Sequence, residues 1–152
     1  MKKHTSPINS TELRQVVSTC ACFNVRKAAR AITQHFDAIL EPSGLLITQF
    51  TILVAVEIVK AGTMNELAEV LGMDRTTLTR NLKPLEREGW LKSEPGQDLR
   101  TRVISLTTDG AAALAKALPL WRQAQTDVEE ALGQQRWNTL LSHLVEATVL
   151  IR

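Results

Sequence analysis

The sequence of 152 residues contains no tyrosine and only two cysteines, Cys20 and Cys22. Two cysteines are too few for a disulfide framework. The chain also lacks a run of about 18 apolar residues, the minimum for a helix that spans a membrane. Its N-terminus, MKKHTSPINS, is followed by no apolar stretch and does not resemble a secretory signal. We therefore expect a cytoplasmic protein with no membrane attachment.

Catalytic and metal-binding patterns are missing as well. The sequence has no glycine-rich phosphate loop, no nucleophile elbow, and no histidine at a useful spacing from a nucleophile. His4, His35 and His143 lie far apart and have no close set of cysteines or acidic residues. We expect no enzymatic activity, no catalytic residue, no metal and no cofactor. The net charge of +2 permits nucleic-acid binding but does not argue for it.

Helical patterns occupy the N-terminal part of the chain. Apolar residues recur at helical spacing over residues 10–40, after a possible cap at Asn9 or Ser10, and Pro42 and Gly44 end the pattern. This predicts one long helix of about 28 residues. A second helix is predicted to begin after a cap at Thr48, and it should be buried because it is apolar on nearly every side.

Residues typical of helix ends mark two short helices in the middle of the chain, as in a helix-turn-helix. Thr63 and Glu66 have the spacing of a capping box at the start of the first helix, and Gly72 suits its end. Asp74 suits the cap of the second helix, and Gly89 suits its end. Two strand candidates follow, WLKSE and RVISL, separated by a polar loop. Beyond them, two further helices are predicted after a cap at Thr107, with a break at Gly133.

This order of elements predicts a mainly α (α+β) fold, a winged helix-turn-helix. We expect one domain over residues 1–152, with the helix-turn-helix and wing in 63–106 and long dimerisation helices in 10–40 and 107–151. The apolar stripes of those outer helices need a partner. The simplest partner is the same helices of a second copy, which predicts a homodimer.

The second helix of the helix-turn-helix has two distinct faces. At about 100° per residue, Leu78, Leu82 and Leu85 fall together and define a core face. The opposite side carries hydroxyls and cations that suit DNA, with Arg80 the best candidate for a guanine edge. A solvated surface would explain the cations alone but not the threonines, which are mediocre helix formers. The predicted DNA-binding residues of this helix are Thr76, Thr77, Thr79, Arg80 and Lys83.

The predicted wing tip, DLRTR, holds two more candidates for DNA binding, Arg100 and Arg102. Arginine enters narrow minor grooves because the negative potential is deepest there. Asp98, two residues before Arg100, is expected to brace its guanidinium. A solvated polar turn explains this loop equally well. A winged helix used only for protein contact is a rival for the whole chain, although it would need neither the segregated cations nor an arginine-tipped wing.

With these residues in hand, the chain resembles the MarR family of bacterial transcription regulators over roughly residues 12–150. The most specific stretch is LAEVLGMDRTTLTRNLKPLEREGWLKSEPGQDLRTRVISLTTDG, which includes the wing pair Asp98 and Arg100 and the pattern of Leu106, Thr107 and Gly110. The resemblance implies a homodimeric repressor that binds double-stranded DNA at an inverted repeat. It also implies release by a small-molecule effector of unknown identity or by an oxidant.

The stretch CACFNVRKAARAIT is similar to the opening helix of the branch that senses organic hydroperoxides. Cys22 would then be the redox sensor, with Arg26 and Arg30 one and two turns further on. That branch uses tyrosines around its cysteine, and one of them falls where Arg26 stands here. The alternative is that Cys20 and Cys22 are ordinary small core residues. On one continuous helix they would point to nearly opposite faces, which argues against a disulfide between them.

Overall fold

The computed structural model describes residues 8–98 and 100–151. Within these ranges the mainly helical winged helix-turn-helix is confirmed. The chain divides into two compact units, Met1–Gln34 and His35–Arg152. The helices are α1 (Ser10–Thr19), α2 (Ala21–Leu40), α3 (Ile47–Val59), α4 (Met64–Leu71), α5 (Arg75–Arg87), α6 (Thr108–Leu132) and α7 (Gln134–Leu150), with a 3-10 turn at Glu41–Ser43; the strands are β1 (Gly62–Thr63), β2 (Leu91–Pro95) and β3 (Arg102–Leu106).

The N-terminal segment is two helices, so the prediction of one continuous helix over residues 10–40 is wrong. Cys20 interrupts it with extended backbone angles, φ −66° and ψ 114°. Polar side chains compete for the backbone around the break: the Thr19 hydroxyl donates to the Gln15 carbonyl (2.8 Å), and the Asn24 amide donates to the carbonyls of Val17 (3.2 Å) and Cys20 (3.0 Å). Such local hydrogen bonds offer the chain an alternative to the helical ladder.

Helix α3 is the central helix of the second unit, as its composition predicts. Its buried residues join a single core with those of the elements around it. The predicted cap at Thr48 is wrong, because the helix begins at Ile47 and Leu46 is at the cap position. The Gln49 side chain accepts the Leu46 N–H (2.9 Å), and the Asp37 carboxylate on α2 accepts the Ile47 N–H (2.7 Å). A side chain from the first turn of α3 and a carboxylate from α2 therefore accept the backbone N–H groups at this helix start, in place of the expected hydroxyl.

Helices α4 and α5 form the helix-turn-helix, and their predicted caps are confirmed. The Thr63 hydroxyl accepts the Glu66 N–H while the Glu66 carboxylate accepts the Thr63 N–H (2.7 Å), which is a capping box. Gly72 ends α4 in the left-handed conformation, at φ 61°. Asp74 caps α5. These local interactions fix where the second helix starts.

The wing is part of a three-stranded antiparallel sheet with the order β1-β3-β2. Strands β2 and β3 pair from Leu91 with Leu106 to Pro95 with Arg102, as predicted from the two apolar stretches. Strand β1 was not predicted, because two residues are too short to show an alternating pattern. Its residue Gly62 pairs with Ile104 and ties the start of α4 to the base of the wing.

A close backbone approach joins the wing to α6. The Thr107 N–H donates to the Trp90 carbonyl (3.0 Å), its hydroxyl donates to the Gly89 carbonyl, and the same hydroxyl accepts the Gly110 N–H (3.0 Å). The predicted cap at Thr107 is therefore confirmed. Gly110 is buried, and a Cβ atom there would overlap the Trp90 carbonyl. Only glycine fits at this position.

Helices α6 and α7 are separated at Gly133, as predicted. Several apolar side chains of α7 are exposed in the single chain: Leu141, Leu144, Val145, Val149 and Leu150. Among the described residues, no single helix is both long and apolar enough to cross a membrane. The segments Ala21–Ser43 and Ile47–Val59 meet that criterion only as a pair, and the pair is bent by 73°.

Replacing Gly110 with alanine is expected to destabilise the fold by about 3 kcal/mol, because the new methyl group must displace backbone rather than a flexible side chain. Urea denaturation followed by circular dichroism measures this loss. Ala115→Gly is the matched control, since it lies exposed on the same helix and should cost only about 1 kcal/mol through helix propensity. Equal losses of unfolding free energy in the two variants would contradict the close approach of Gly110 to the Trp90 carbonyl.

Candidate nucleic-acid interface

The start of α5 is fixed by a carboxylate. Asp74 accepts the Thr77 N–H at Oδ1 (2.8 Å) and the Thr77 hydroxyl at Oδ2 (2.6 Å). These bonds, the hydroxyl bond first and the backbone bond second, hold the pKa of the Asp74 carboxyl below its usual range. The Thr77 side chain is half-buried and donates its proton to the cap. Of the predicted DNA-binding threonines, it is the one most occupied by the helix itself.

The two faces of α5 are arranged as the helical projection predicts. Leu78, Leu82 and Leu85 are each no more than 2% exposed. The predicted DNA-binding residues Thr76, Thr79, Arg80 and Lys83 are exposed on the same helix. The Thr79 hydroxyl donates to the Arg75 carbonyl (2.7 Å), which leaves its oxygen lone pairs and its methyl group for a partner. The helix therefore presents a polar, cationic surface whose rotation is set by three buried leucines.

The wing tip is held in shape by Asp98. Its carboxylate accepts the backbone N–H of Arg100 (2.9 Å), and its carbonyl accepts both the N–H and the hydroxyl of Thr101 (2.8 Å each). Asp98 was expected to brace the guanidinium of Arg100. The hydrogen bond goes to the main chain instead, because a carboxylate two residues earlier reaches the amide of an Asx turn more easily than a long side chain. Arg100 is exposed beside this turn.

Arg102 and Arg100, both predicted to bind DNA, differ in how their side chains are held. Its Nε donates to the Ser93 hydroxyl (2.8 Å) and one terminal nitrogen donates to the Ser93 carbonyl (2.7 Å). These contacts cross from β3 to β2 and hold the guanidinium against the sheet. Among the described residues, these contacts use two of its five N–H donors.

A third arginine belongs to this surface and was not predicted. Arg75 lines a groove of about 330 Å³ together with Thr63, Met64, Asn65, Arg100, Thr101 and Arg102. On the helical projection Arg75 falls nearer to the leucine face than to the polar face, and the projection therefore misses it. It is the first residue of α5, and helical side chains lean toward the N-terminus, so it projects past the end of the helix. Its position directly after the cap Asp74 could have identified Arg75 as a residue of this surface.

The two cysteines lie in the first unit and differ in exposure. Cys20, at the break between α1 and α2, is half-buried, and Cys22 is exposed. The expectation that the two point to opposite faces of one helix is wrong, because Cys20 lies at the helix break and Cys22 lies in α2. On α2, Arg26 and Arg30 line an open groove of about 490 Å³ with Ala29, Thr33 and Gln34.

The second unit has an apolar cleft. Phe50, Thr51, Val54, Leu118 and Trp121, from α3 and α6, line about 250 Å³. The rings of Phe50 and Trp121 are stacked, with centroids 6.1 Å apart and planes at 17°. Such a surface suits a small apolar ligand.

The histidines do not form a metal centre in the described part of the chain. His35 Nε2 lies 3.4 Å from Asp127 Oδ2, between α2 and α6. No group of three or more histidine, cysteine or acidic side chains there has the geometry to hold a metal ion. His4 lies outside the described residues.

Comparison with known proteins identifies the family of this chain. A MarR family model matches residues 43–100. The crystal structure of the M. tuberculosis transcriptional regulator MosR in complex with DNA is 42% identical, covers 88% of this chain and 98% of that one, and superposes with a TM-score of 0.77. The chain belongs to the MarR family. The structural match covers nearly the whole of the MosR chain.

Two curated relatives of this MarR family member come from Bacillus subtilis. The uncharacterized regulator YwoH is 31% identical over 85 residues, which are 56% of this chain and 62% of YwoH. The organic hydroperoxide resistance transcriptional regulator is 29% identical over 100 residues, 65% of this chain and 68% of that protein. The chain spans about three fifths of the length of the first curated relatives that it matches. The matched proteins are transcriptional regulators rather than enzymes, as the sequence predicts for this chain.

The cap of α5 gives a pH-dependent prediction. Because the folded-state pKa of Asp74 is lowered, its contribution to stability is full above the ordinary aspartate pKa of about 4 and is lost as the pH falls through the folded-state value. Asp74→Ala should therefore lower the melting temperature at pH 7 and differ less from the wild type in acid. Asp74→Asn keeps the hydrogen-bond acceptor but cannot titrate, so the difference in melting temperature between Asp74→Asn and Asp74→Ala should not depend on pH.

If the melting temperatures of the wild type and Asp74→Ala differ by the same amount from pH 7 to 2.5, the ionised Asp74 carboxylate does not stabilise the start of α5.

Proposed function

We propose that the chain is a sequence-specific regulator of transcription that binds double-stranded DNA in the cytoplasm as a homodimeric repressor. The observation that carries this proposal is the exposed polar face of α5 beside an arginine-tipped wing. The MosR complex with DNA supports it, because that protein is 42% identical over nearly its whole length. On this proposal residues 1–152 act as one domain, with residues 10–40 and 107–151 as dimerisation helices.

The dimer is supported by apolar side chains that the single chain leaves exposed. Helix α1 exposes Leu13, Val16 and Val17, and α7 exposes a second set that includes Val145 and Val149. Exposed apolar surface of this kind on two outer helices is typical of a protein interface. A two-fold dimer binds an inverted repeat, with half-site centres about 10–10.5 base pairs apart or a multiple of that spacing.

The DNA contacts are divided between two elements. Helix α5 enters the major groove and uses Thr76, Thr77, Thr79, Arg80 and Lys83. The wing contacts DNA with two arginines. Arg100, on the turn that Asp98 holds, reaches the minor groove, and Arg102 at the start of β3 lies beside it. An effector releases the DNA, and we place it in the apolar cleft between α3 and α6, since concave apolar surfaces with a few polar groups suit small ligands.

Replacing Arg80 and replacing Arg100 are expected to change DNA binding in different ways. Arg80→Ala should cost about 1–3 kcal/mol of binding to the operator and relax base preference at one position per half-site. Arg100→Ala should weaken operator and scrambled DNA more evenly and lower the salt slope by about one unit per wing. Binding to both duplexes over a salt series measures the difference, with the operator obtained by selection from a randomised duplex library.

Arg122→Ala is the control for these variants, because it removes an exposed arginine from α6. All three variants should keep the dimer mass in light scattering and the wild-type melting temperature. An equal effect of Arg80→Ala on both duplexes would mean that Arg80 holds phosphate and reads no base. If neither Arg80→Ala nor Arg100→Ala weakens binding, the wing and α5 do not bind DNA as proposed, and the winged helix is a protein-contact module.

A second candidate function is release by an oxidant through Cys22. The specific observation in its favour is the helix break at Cys20, which leaves the Cys22 thiol exposed at the start of α2. The relative named for organic hydroperoxide resistance, 29% identical, supports it. In this reaction the Cys22 sulfur takes one oxygen from the hydroperoxide and becomes a sulfenic acid, and the hydroperoxide is reduced to its alcohol.

Cys22→Ser should bind DNA like the wild type but should no longer be released by cumene hydroperoxide. The measurement is fluorescence anisotropy of labelled operator during a peroxide titration. Cys20→Ser is the matched control, and it should still respond because its thiol is the half-buried one. Release of Cys22→Ser at the wild-type peroxide concentration would show that Cys22 is not the sensor. No release of the wild type would leave both cysteines with a structural role.

A further inference from the structure

Three arginines from separate elements meet in one groove, which we call the arginine groove. It is lined by Thr63, Met64 and Asn65 at the junction of β1 and α4, by Arg75 at the start of α5, and by Arg100, Thr101 and Arg102 of the wing. These seven described residues include three guanidinium groups and no carboxylate. The groove therefore has a concentrated positive charge although the whole chain has a net charge of only +2.

We propose that the arginine groove binds a phosphodiester of the DNA backbone, with Arg75 and Arg102 as the residues that hold it. This inference rests on the proposed DNA-binding function and adds a contact to it. Arg75 is then a phosphate-binding residue that positions the protein on the duplex, whereas Arg80 reads a base.

The position of the groove favours the backbone of the duplex over its bases. Helix α5 is the element proposed for the major groove, and Arg100 on the wing is proposed for the minor groove. In a duplex, a sugar-phosphate strand separates the two grooves, so it must pass between these elements. The arginine groove contains the first residue of α5 and three residues of the wing. It lies where that strand would run.

The chemistry of the lining also suits a phosphate. A guanidinium group matches phosphate oxygens with two parallel N–H donors. The Arg102 guanidinium is already held by Ser93, at 2.8 and 2.7 Å, so little side-chain entropy is lost when it binds. The groove takes in the first residues of two helices, α4 and α5, and helix N-termini carry partial positive charge.

The neighbouring carboxylates are engaged in local hydrogen bonds. Asp98 accepts the backbone N–H of Arg100 (2.9 Å) in the wing, and the other two belong to helix caps. Glu66 accepts the N–H (2.7 Å) and the hydroxyl (2.8 Å) of Thr63, and these bonds hold its pKa below its usual range. Asp74 is bonded to Thr77 in the same manner. Both stay ionised at neutral pH, and their hydrogen bonds turn them toward helix amides. An anion in the groove then meets three cations at close range.

The first test measures binding of the full chain to a duplex selected from a randomised library and to its scrambled version, from 50 to 400 mM salt. Removing one phosphate contact per protomer should lower the magnitude of the slope of log K against log salt by about one unit per protomer. Arg75→Ala should show this change and lose the same factor on both duplexes. Arg75→Lys should keep most of the affinity, and Arg122→Ala should match the wild type.

The second test locates the contact. Single phosphates of the selected duplex are replaced in turn by neutral methylphosphonates, and affinity is measured for the wild type and for Arg75→Ala. We expect one phosphate per half-site whose neutralisation weakens the wild type but has little effect on Arg75→Ala. The other sensitive phosphates should weaken both proteins alike.

The outcomes separate this inference from the proposed function. If Arg75→Ala keeps the wild-type salt slope and the wild-type phosphate map while Arg80→Ala still relaxes base preference, the groove holds no phosphate and the regulator proposal stands. A changed ratio between selected and scrambled duplex in Arg75→Ala would make Arg75 a base-reading residue and overturn the inference. A wild type that selects no duplex and binds no DNA would overturn both.

Discussion

The surface that α5 presents depends on the burial of three leucines. Leu78, Leu82 and Leu85 are packed in the core of the second unit, and this packing fixes the rotation of the helix about its own axis. A helix turns by about 100° per residue, so a shift of the apolar pattern by a single residue would send the cations toward the core. The caps at Asp74 and Thr63 fix where the helices begin, but the leucines decide which side chains meet a partner. Hydrophobic packing in this fold therefore decides which polar side chains of α5 are exposed to a partner.

The small sheet brings together residues that are distant in the chain. Strand β3 pairs with β1 on one side and β2 on the other, so the start of α4 and the wing share one framework. Arg102 strengthens that framework through Ser93 and also faces the arginine groove. The same side chain thus stabilises the wing and contributes charge, whereas Arg100, whose backbone N–H is held by the Asp98 carboxylate, keeps its side chain exposed. Two arginines two residues apart are consequently suited to different tasks.

The features that could be predicted from the sequence are those set by neighbouring residues. The caps at Thr63, Asp74 and Thr107 require only side chains within three positions, and the leucine face requires only helical spacing. The features that were missed depend on contacts across the fold. Asp37 reaches across from α2 to the start of α3, and β1 exists only because β3 lies beside it. Arg75 was missed because a projection down the axis ignores the lean of side chains at a helix end.

The contact between Gly110 and the Trp90 carbonyl has a mechanical consequence. No side chain lies between the backbone that enters the wing and the first turn of α6, so the joint cannot be compressed. Two hydrogen bonds from Thr107, to the carbonyls of Trp90 and Gly89, hold the two segments together. A tilt of the first turn of α6 would therefore move the base of the wing with it. The cleft proposed for an effector lies beside Trp121, eleven residues further along α6 and past Pro119, so on that proposal this joint is the connection between the effector and the wing.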